Sequence, residues 1–356
     1  MKKRIKSIAI LGLFICINSC NKSNTQKGST DFPTLEQQVI DDFVNKTALP
    51  QYNSLVNAAT DLSNSLTTLN TSPTDANLQA AQSSWKNIRH IWEQCEGFLF
   101  GPVEDNDYDP NTDTWPTDYT QMDSLLQSNN PLQPNDFKNL TQSLRGYHPI
   151  EYVVFGVGYS RSAASLTARE KTYMMGLSAD VLNNNVQPLY TSWTQAPTNY
   201  GDQVSTAGKG STQFSTKQEL FLVIVSALSD ICEEVGAGKM YEPFVAKDST
   251  ICESPYSGNT LSDFKDNIIG LRNVYMGLNG GLGLKDLVAA KNKSLDNQIQ
   301  SQITAAVNSF DNITIRYERA IFDQRTQVQQ TMNQLASLQD FLENDLKSFV
   351  QTYIKD

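Results

Sequence analysis

Histidine is rare in this sequence, and its rarity excludes several kinds of enzyme. The 356 residues contain two histidines, His90 and His148. A three-histidine zinc site cannot be built from them, and neither H-E-x-x-H nor H-x-x-E-H occurs in the chain. The nucleophile elbow G-x-S-x-G and the phosphate-binding P-loop are missing as well. These absences exclude the standard zinc proteases, the α/β-hydrolases and the P-loop nucleotide hydrolases.

Cysteine is also scarce, which excludes a fold held together by disulfides. Of five cysteines, Cys16 falls in a candidate leader and Cys20 at its end. The remaining three, Cys95, Cys232 and Cys252, allow at most one disulfide. A Cys232–Cys252 pair is one option, which the sequence leaves open. With 356 residues, the chain is long enough to fold around one or two hydrophobic cores instead.

Long apolar runs and positive charge are limited too. After residue 19 no segment is long and apolar enough to span a bilayer. The full chain carries 28 basic and 38 acidic residues, and removing residues 1–19 takes away four basic residues and no acidic one, which leaves 24 against 38. So acidic a chain is a poor binder of nucleic acid, and cations are its more natural partners.

The first 19 residues predict a signal peptide. Met1–Lys6 is basic, and Ile8–Ile17 is an apolar stretch of signal-peptide rather than transmembrane length. A small residue directly before Cys20 resembles a bacterial lipobox, and residues 20–34 form a polar tether. We expect an acylated Cys20 that anchors the protein in the cell envelope, at the outer membrane facing the periplasm. The alternatives are an ordinary signal peptide with a chance cysteine and a short buried helix.

Replacing Cys20 with serine should release the protein from the membrane or leave it unprocessed, because the serine lacks the thiol that carries the lipid. Membrane fractionation combined with mass measurement of the N-terminus tests this. A Cys20→Ser protein that is processed and still stays on the membrane would contradict the lipoprotein interpretation.

The apolar residues recur with helical periodicity through most of the chain, and no convincing alternating strand is found. This pattern predicts an all-α protein. An acidic loop, Gly101–Thr117, and a loop rich in Gly, Thr and Ser, Ala196–Ser215, interrupt the helices. The second loop divides the chain into two predicted helical-bundle domains, residues 35–200 and 201–356.

One predicted helix carries a carboxylate on its buried stripe. On a helical wheel Trp85 and Trp92 mark the apolar stripe, Glu96 falls inside it and Glu93 lies at its edge. A carboxylate in that position is costly unless it is paired or bound to a metal. Two interpretations stay open: a salt bridge between Arg89 and Glu96, or a functional Glu96 that Arg89 orients.

His148 is the candidate histidine, since His90 points away from the apolar stripe. If Pro149 occupies the first helical position, His148 caps the helix and Glu151 stands in the first turn, where the helix dipole favours an acid. Histidine is not a preferred cap, so capping explains Pro149 and Glu151 but not His148. Because residues i and i+3 share a helix face, the pair is also a candidate for metal binding, although H-x-x-E is frequent by chance.

A run of alternating acids resembles a calcium loop only in part. Pro110 stands where the turn glycine should be, and no glutamate closes the loop. We interpret the run as a solvated acidic loop. Its residues are Asp105, Asp107, Asp109, Asn111 and Asp113.

Four separated motifs, in order, resemble those of the imelysin-like family. W-x-x-x-R-x-x-W-x-x-x-E spans Trp85–Glu96, and W-P-x-D spans Trp115–Asp118. G-Y-H-x-x-E follows at Gly146–Glu151, and E-S-P-Y-S-G-N-T at Glu253–Thr260 precedes a long helix. The resemblance covers most of the chain after the tether. One departure is Gly258, which stands where the family's motif usually has an aspartate.

The resemblance implies an all-helical envelope protein with two bundle-like domains and a G-x-H-x-x-E site near their interface. Members are frequently lipoproteins implicated in iron uptake, and the family name comes from a proposed metallopeptidase activity. Carried onto this sequence, the resemblance marks His148 and Glu151 as metal ligands, with Glu96 and Asp118 beside them. The expected supporting residues are Arg89, Glu93, Trp115 and Ser257.

The leading hypothesis is a lipid-anchored periplasmic protein that binds a divalent or trivalent metal ion or an iron-containing ligand. One imidazole with several carboxylates suits iron first, with manganese and zinc as alternatives. Components of an iron-transport system would be its protein partners, and no nucleic acid is expected. A metallopeptidase, in which His148 and Glu151 hold a water-activating metal, is the first alternative. An adhesion or scaffold lipoprotein without a site is the second.

Overall fold

The chain is a succession of α-helices. The computed structural model describes residues 31–355, and no β-strand occurs among them, which confirms the all-α prediction. The first nine helices are α1 (Phe32–Asp42), α2 (Leu49–Thr71), α3 (Asp75–Cys95), α4 (Pro102–Asp105), α5 (Tyr108–Asp113), α6 (Tyr119–Gln127), α7 (Tyr147–Phe155), α8 (Ala168–Asp180) and α9 (Gln187–Thr194). The following nine are α10 (Tyr200–Ser205), α11 (Lys217–Glu233), α12 (Tyr241–Ala246), α13 (Thr260–Met276), α14 (Leu284–Lys291), α15 (Lys293–Ser309), α16 (Tyr317–Asp323), α17 (Arg325–Phe341) and α18 (Lys347–Tyr353).

Several helices continue into the next through a π-helical turn. These turns link α1 to α2, α8 to α9, α11 to α12 and α17 to α18. A π-turn interrupts the regular hydrogen-bond ladder of a helix and is frequent at functional sites. The turn between α11 and α12, Glu234–Lys239, lies beside the candidate site described below.

Helix α3 positions much of that site. Its start is fixed by Thr74, whose hydroxyl accepts a hydrogen bond from the Asn77 amide at 3.2 Å. Trp85 and Trp92 are fully buried, as the wheel predicts, and α3 packs between α2 and α13. Glu96 follows α3 directly, in a short 3₁₀ turn that ends at Phe98.

The C-terminal end of α3 lies directly against the backbone of α13. A β-carbon added to Gly97 would lie 2.5 Å from the carbonyl carbon of Gly270, and one added to Gly270 would lie 2.4 Å from a carbonyl oxygen of α3. Because no side chain fits at either position, the two backbones touch. This contact brings Glu93 and Glu96 to within hydrogen-bond distance of Asn267 on α13.

Both predicted loops contain short helices. Gly101–Thr117 includes α4 and α5, and Ala196–Ser215 includes α10. Asp113, at the end of α5, is buried with 6% of its surface exposed. The interpretation as a solvated acidic loop is therefore wrong for Asp113, because α5 packs against α7 and removes this residue from solvent.

Residues 32–355 belong to one compact unit. The division into bundles at residues 35–200 and 201–356 stays a prediction. Cys95, Cys232 and Cys252 are buried free thiols, so the optional Cys232–Cys252 disulfide is not formed. None of the described helices combines the length and the apolar character needed to cross a membrane. Cys20 and the leader lie outside the described residues.

Candidate metal centre

Helix α7 begins two residues earlier than the capping interpretation requires. Its N-cap is Gly146, with φ 82° and ψ −152°, and a β-carbon there would lie 2.0 Å from the carbonyl oxygen of Thr112. Only glycine fits this left-handed, crowded position. His148 is consequently the second helical residue rather than the cap, and Glu151 is the fifth rather than the third. The prediction that His148 caps α7 is wrong.

Glu151 joins α7 to the segment before α13. Its Oε1 accepts hydrogen bonds from the backbone amides of Ser257, at 2.6 Å, and Tyr256, at 3.1 Å. Its Oε2 has no hydrogen-bond partner among the described residues and lies 3.8 Å from His148 Nδ1. Ser257, from the second half of the chain, thus contacts the site through its backbone amide rather than its hydroxyl.

His148 is buried among carboxylates, with only 1% of its surface exposed. Its Nε2 lies 3.1 Å from Asp113 Oδ1 and 3.4 Å from Glu253 Oε1. Neither ring nitrogen has hydrogen-bond geometry to any described residue. Burial lowers the pKa of His148, but Asp113, Glu151 and Glu253 outweigh it and hold that pKa well above its usual range. These three carboxylates therefore favour the protonated form of the ring.

Arg89 occupies the middle of the acidic cluster and is fully buried. Its guanidinium pairs with Glu93 and Asp113, lies 2.8 Å from Glu253 Oε1 and 3.7 Å from Asp263 Oδ1. Burial by itself raises the pKa of Asp113, but Arg89 and His148 outweigh it and hold that pKa well below its usual range. Arg89 is therefore the fixed counter-ion of the cluster.

The Arg89–Glu96 salt bridge, one of the two interpretations that the sequence left open, is absent from the described residues. Glu96 is buried, as predicted, but its Oε2 accepts from Asn267 Nδ2 at 2.5 Å and lies 3.9 Å from Lys239 Nζ. The helix places Glu93, one turn earlier, in contact with Arg89 instead. Burial raises the pKa of Glu96 well above its usual range, more than Lys239 lowers it.

Two overlapping groups of side chains have the spacing of a metal site. Asp113, His148 and Glu253 form one, and Glu93, Glu96 and Asp113 form the other, with one potential ligand atom of each residue within 4.8 Å of the others. Asp113 is shared, so the groups adjoin. Carboxylate oxygens with a single imidazole nitrogen are suited to iron or manganese, and also to zinc.

Asp118 is not brought to the cluster. It is exposed and caps α6, where its carboxylate accepts from the Gln121 amide at 2.8 Å. Trp115, three residues earlier, donates from Nε1 to the Ile251 carbonyl at 3.1 Å and lines an open cleft beside the cluster. Asp113 stands in the position expected for Asp118.

Sequence reasoning missed two central carboxylates, Asp113 and Glu253. Asp113 was included in the acidic run, and the signal that could have singled it out is its place two residues before Trp115-Pro116. Glu253 is the first residue of the E-S-P-Y-S-G-N-T motif, and the signal that could have identified it is a charged residue at the start of a motif that precedes a buried helix. The pKa of Glu253 is about 2, because Lys239 and His148 outweigh the effect of burial.

The cluster holds more acidic than basic groups. Six buried carboxylates surround three cations, Arg89, Lys239 and protonated His148. Burial raises the pKa of Asp263 to about 6, although Arg89 lowers it. An excess of buried carboxylates is costly unless protons or a further cation neutralise it. The carboxylates are those of Glu93, Glu96, Asp113, Glu151, Glu253 and Asp263.

The model of the imelysin family, also named peptidase M75, matches residues 48–342, a range that contains every member of this cluster. The chain belongs to the imelysin family. Iron-regulated protein A of Synechococcus elongatus is 32% identical to it over 279 residues, which are 78% of this chain and 72% of that protein.

Solved structures of other imelysin-like proteins share the fold. A protein described as an iron-regulated protein A precursor, from Parabacteroides distasonis, has a TM-score of 0.80 at 24% identity, over 90% of this chain and 95% of its own. An imelysin-like protein from Psychrobacter arcticum has a TM-score of 0.70 at 13% identity, over 90% of this chain and 97% of its own. This imelysin chain is therefore all-helical in the same arrangement.

Gly258 distinguishes this imelysin chain from the motif expected of the family. It has a φ of 62°, and a β-carbon there would lie 3.0 Å from Arg316 Cδ and Nε. The Arg316 side chain thus packs where a side chain at position 258 would begin. The carboxylates of this chain's cluster come from α3 and the 3₁₀ turn after it, from α5, α7 and α13, and from the segment before α13.

Proposed function

We propose that this protein is a lipid-anchored envelope protein that binds iron, as an ion or in a small iron-containing ligand, through Asp113, His148 and Glu253. Manganese and zinc are the other candidate ions. Glu93 and Glu96 form the adjoining half of the site. Iron-transport components of the envelope are the proposed protein partners.

One observation carries the proposal: both ring nitrogens of the buried His148 lack a hydrogen bond while carboxylates lie 3.1 to 3.8 Å away. Both nitrogens face carboxylates in ion pairs, yet neither has hydrogen-bond geometry to a described residue, and a metal ion is a partner that would satisfy Nε2 and these carboxylates together. A metal ion at Nε2 would also be near Asp113 and Glu253, which supply oxygen ligands. The name of the Synechococcus relative, iron-regulated protein A, favours iron among the candidate ions.

Glu151 has a second role in this proposal. A metal-binding histidine usually donates its other ring N–H to a carboxylate, which fixes the orientation of the ring. Glu151 Oε2 has no partner and lies 3.8 Å from His148 Nδ1, so a small rotation gives that bond. Ser257 and Tyr256 hold the other oxygen of Glu151 in place. Glu151 therefore positions His148 rather than contacting the metal.

The metallopeptidase alternative requires an open coordination position and a general base in addition to the ligands. Arg89 lies 2.8 Å and Lys239 3.6 Å from Glu253 Oε1, on the carboxylate that such a metal would use. The side chains that would hold the metal are also buried, which leaves a peptide substrate little access to it. Binding is the function that this arrangement favours.

The purified protein should bind one of iron(II), iron(III), manganese(II) or zinc(II) stoichiometrically, because the excess of buried carboxylates is neutralised by a cation. Elemental analysis followed by calorimetric titration of the metal-free protein measures this. Asp118→Asn is the matched control: it removes an acid that the sequence predicted as a ligand but that lies outside the cluster, and it should leave the affinity unchanged. If none of the four metals binds at one per chain, the proposal fails.

A further inference from the structure

Lys239 lies between the acidic cluster and solvent. It ends the π-turn Glu234–Lys239, and its side chain is only 5% exposed. Its Nζ lies 2.9 Å from Glu234 Oε1, 3.6 Å from Glu253 Oε1 and 3.9 Å from Glu96 Oε2. The Lys239 ammonium therefore lies near Glu234, outside the cluster, and near one carboxylate from each of the two groups with metal-site spacing, Glu253 and Glu96.

An acidic cleft of about 480 Å³ opens on the outer side of this lysine. Asp113 forms part of its wall, so the cleft reaches the cluster, and Lys239 lies where the two meet. Carboxylates that line a cleft raise the local concentration of cations. Besides Asp113 and Lys239, the charged residues that line this cleft are Asp109, Glu233 and Glu234.

The contacts of Lys239 are unequal. The distance to Glu234 is that of a hydrogen bond, whereas those to Glu253 and Glu96 are longer. Glu234 is also the outermost of the three, with 44% of its side chain exposed. A lysine has a flexible four-carbon stem, so its ammonium can move toward the cleft while it stays paired with Glu234.

We infer that Lys239 is a displaceable counter-ion, whose ammonium neutralises the inner carboxylates in the metal-free protein and moves into the cleft when a metal cation binds. A metal ion held by Glu253 would repel a lysine ammonium that lies 3.6 Å from the same carboxylate, and Lys239, unlike the buried Arg89, lines a cleft into which its ammonium can move. This inference rests on the proposed function. It adds a route by which the metal enters, through the cleft, and a side chain that competes with the metal, Lys239.

Lys239→Met should bind metal roughly tenfold or more tightly than the parent, because the metal no longer competes with an internal cation. Without metal, the variant should melt at a lower temperature, and saturating manganese or zinc should restore much of the loss. Lys217→Met is the matched control, since Lys217 is another buried lysine, 3.3 Å from Glu36, and should leave metal affinity unchanged. An unchanged or weaker affinity in Lys239→Met would overturn the inference.

Amine acylation of the parent protein gives a second test that does not depend on the folding of a variant. Mass spectrometry after brief treatment with an acylating ester should show Lys239 protected without metal and modified several-fold faster with manganese or zinc bound, with Lys217 as the internal reference. Equal protection in both states would overturn displacement while leaving metal binding intact. A parent that binds no metal would instead overturn the proposed function together with this inference.

Discussion

His148→Ala should weaken metal binding by roughly 100-fold or more, since loss of even an outer partner of a metal ligand typically costs 10- to 100-fold. His148 is the one imidazole in the described cluster, and alanine offers no replacement donor. Calorimetric titration with the metal that the parent binds most tightly measures the change. Bound metal should also raise the melting temperature of the parent far more than that of the variant.

The second histidine of the chain provides the control for that experiment. His90 lies on the same helix as Glu93 but with a half-exposed side chain, where its Nδ1 is 2.9 Å from Asp266 Oδ2. His90→Ala should keep the metal affinity of the parent. If His148→Ala also kept it and only lowered stability, His148 would be a structural residue and the binding proposal would have to be abandoned.

Arg89→Met should cost about 3–5 kcal/mol of unfolding free energy near neutral pH, the usual result of removing one partner from a buried ion pair. The methionine approximates the length of the arginine stem but leaves the facing carboxylates without their central cation. Chemical denaturation at several pH values measures the loss. Saturating metal should recover part of it, because a bound cation replaces some of the missing charge.

The pH dependence of that loss follows from Asp113. Its pKa in the folded protein is held well below the usual range by Arg89, so its contribution to stability is present above the ordinary aspartate pKa of about 3.8 and is lost as the pH falls toward the lowered folded value. Removing Arg89 removes this contribution. The difference in stability between parent and variant should therefore be largest near neutral pH and should narrow below about pH 4.

Arg145→Met is the comparison for Arg89→Met. Arg145 is also buried, and its guanidinium lies 2.9 Å from Asp180 Oδ2, outside the cluster. Arg145→Met should lower the free energy of unfolding. Saturating metal should stabilise this variant by no more than it stabilises the parent. Equal recovery in both variants would show that metal stabilises the fold generally and does not substitute for Arg89.

The features that could be predicted from the sequence are those determined by residues close together along the chain. The helical class and the burial of Glu96 follow from a periodicity that repeats within a single helix. Asp118 was misplaced because a helix cap and a metal ligand can present the same short motif. Asp113 and Glu253 lie 140 residues apart in sequence, and their meeting at His148 depends on how α5, α7 and the segment before α13 pack. No local pattern contains that information.

The contact between Gly97 and Gly270 has a consequence for ions of different radius. Most protein sites accommodate a larger ion by rotating side chains, but here the separation of Glu93 and Glu96 from Asn267 is set by two main chains in contact. The main chain of the 3₁₀ turn that holds Gly97, like that of α13, has no alternative rotamers. Expansion of this side of the cluster would require the end of α3 and α13 to separate as whole helices, which the surrounding packed core resists. On this side of the cluster, the distance between α13 and the end of α3 is thus set by two residues that possess no side chain at all.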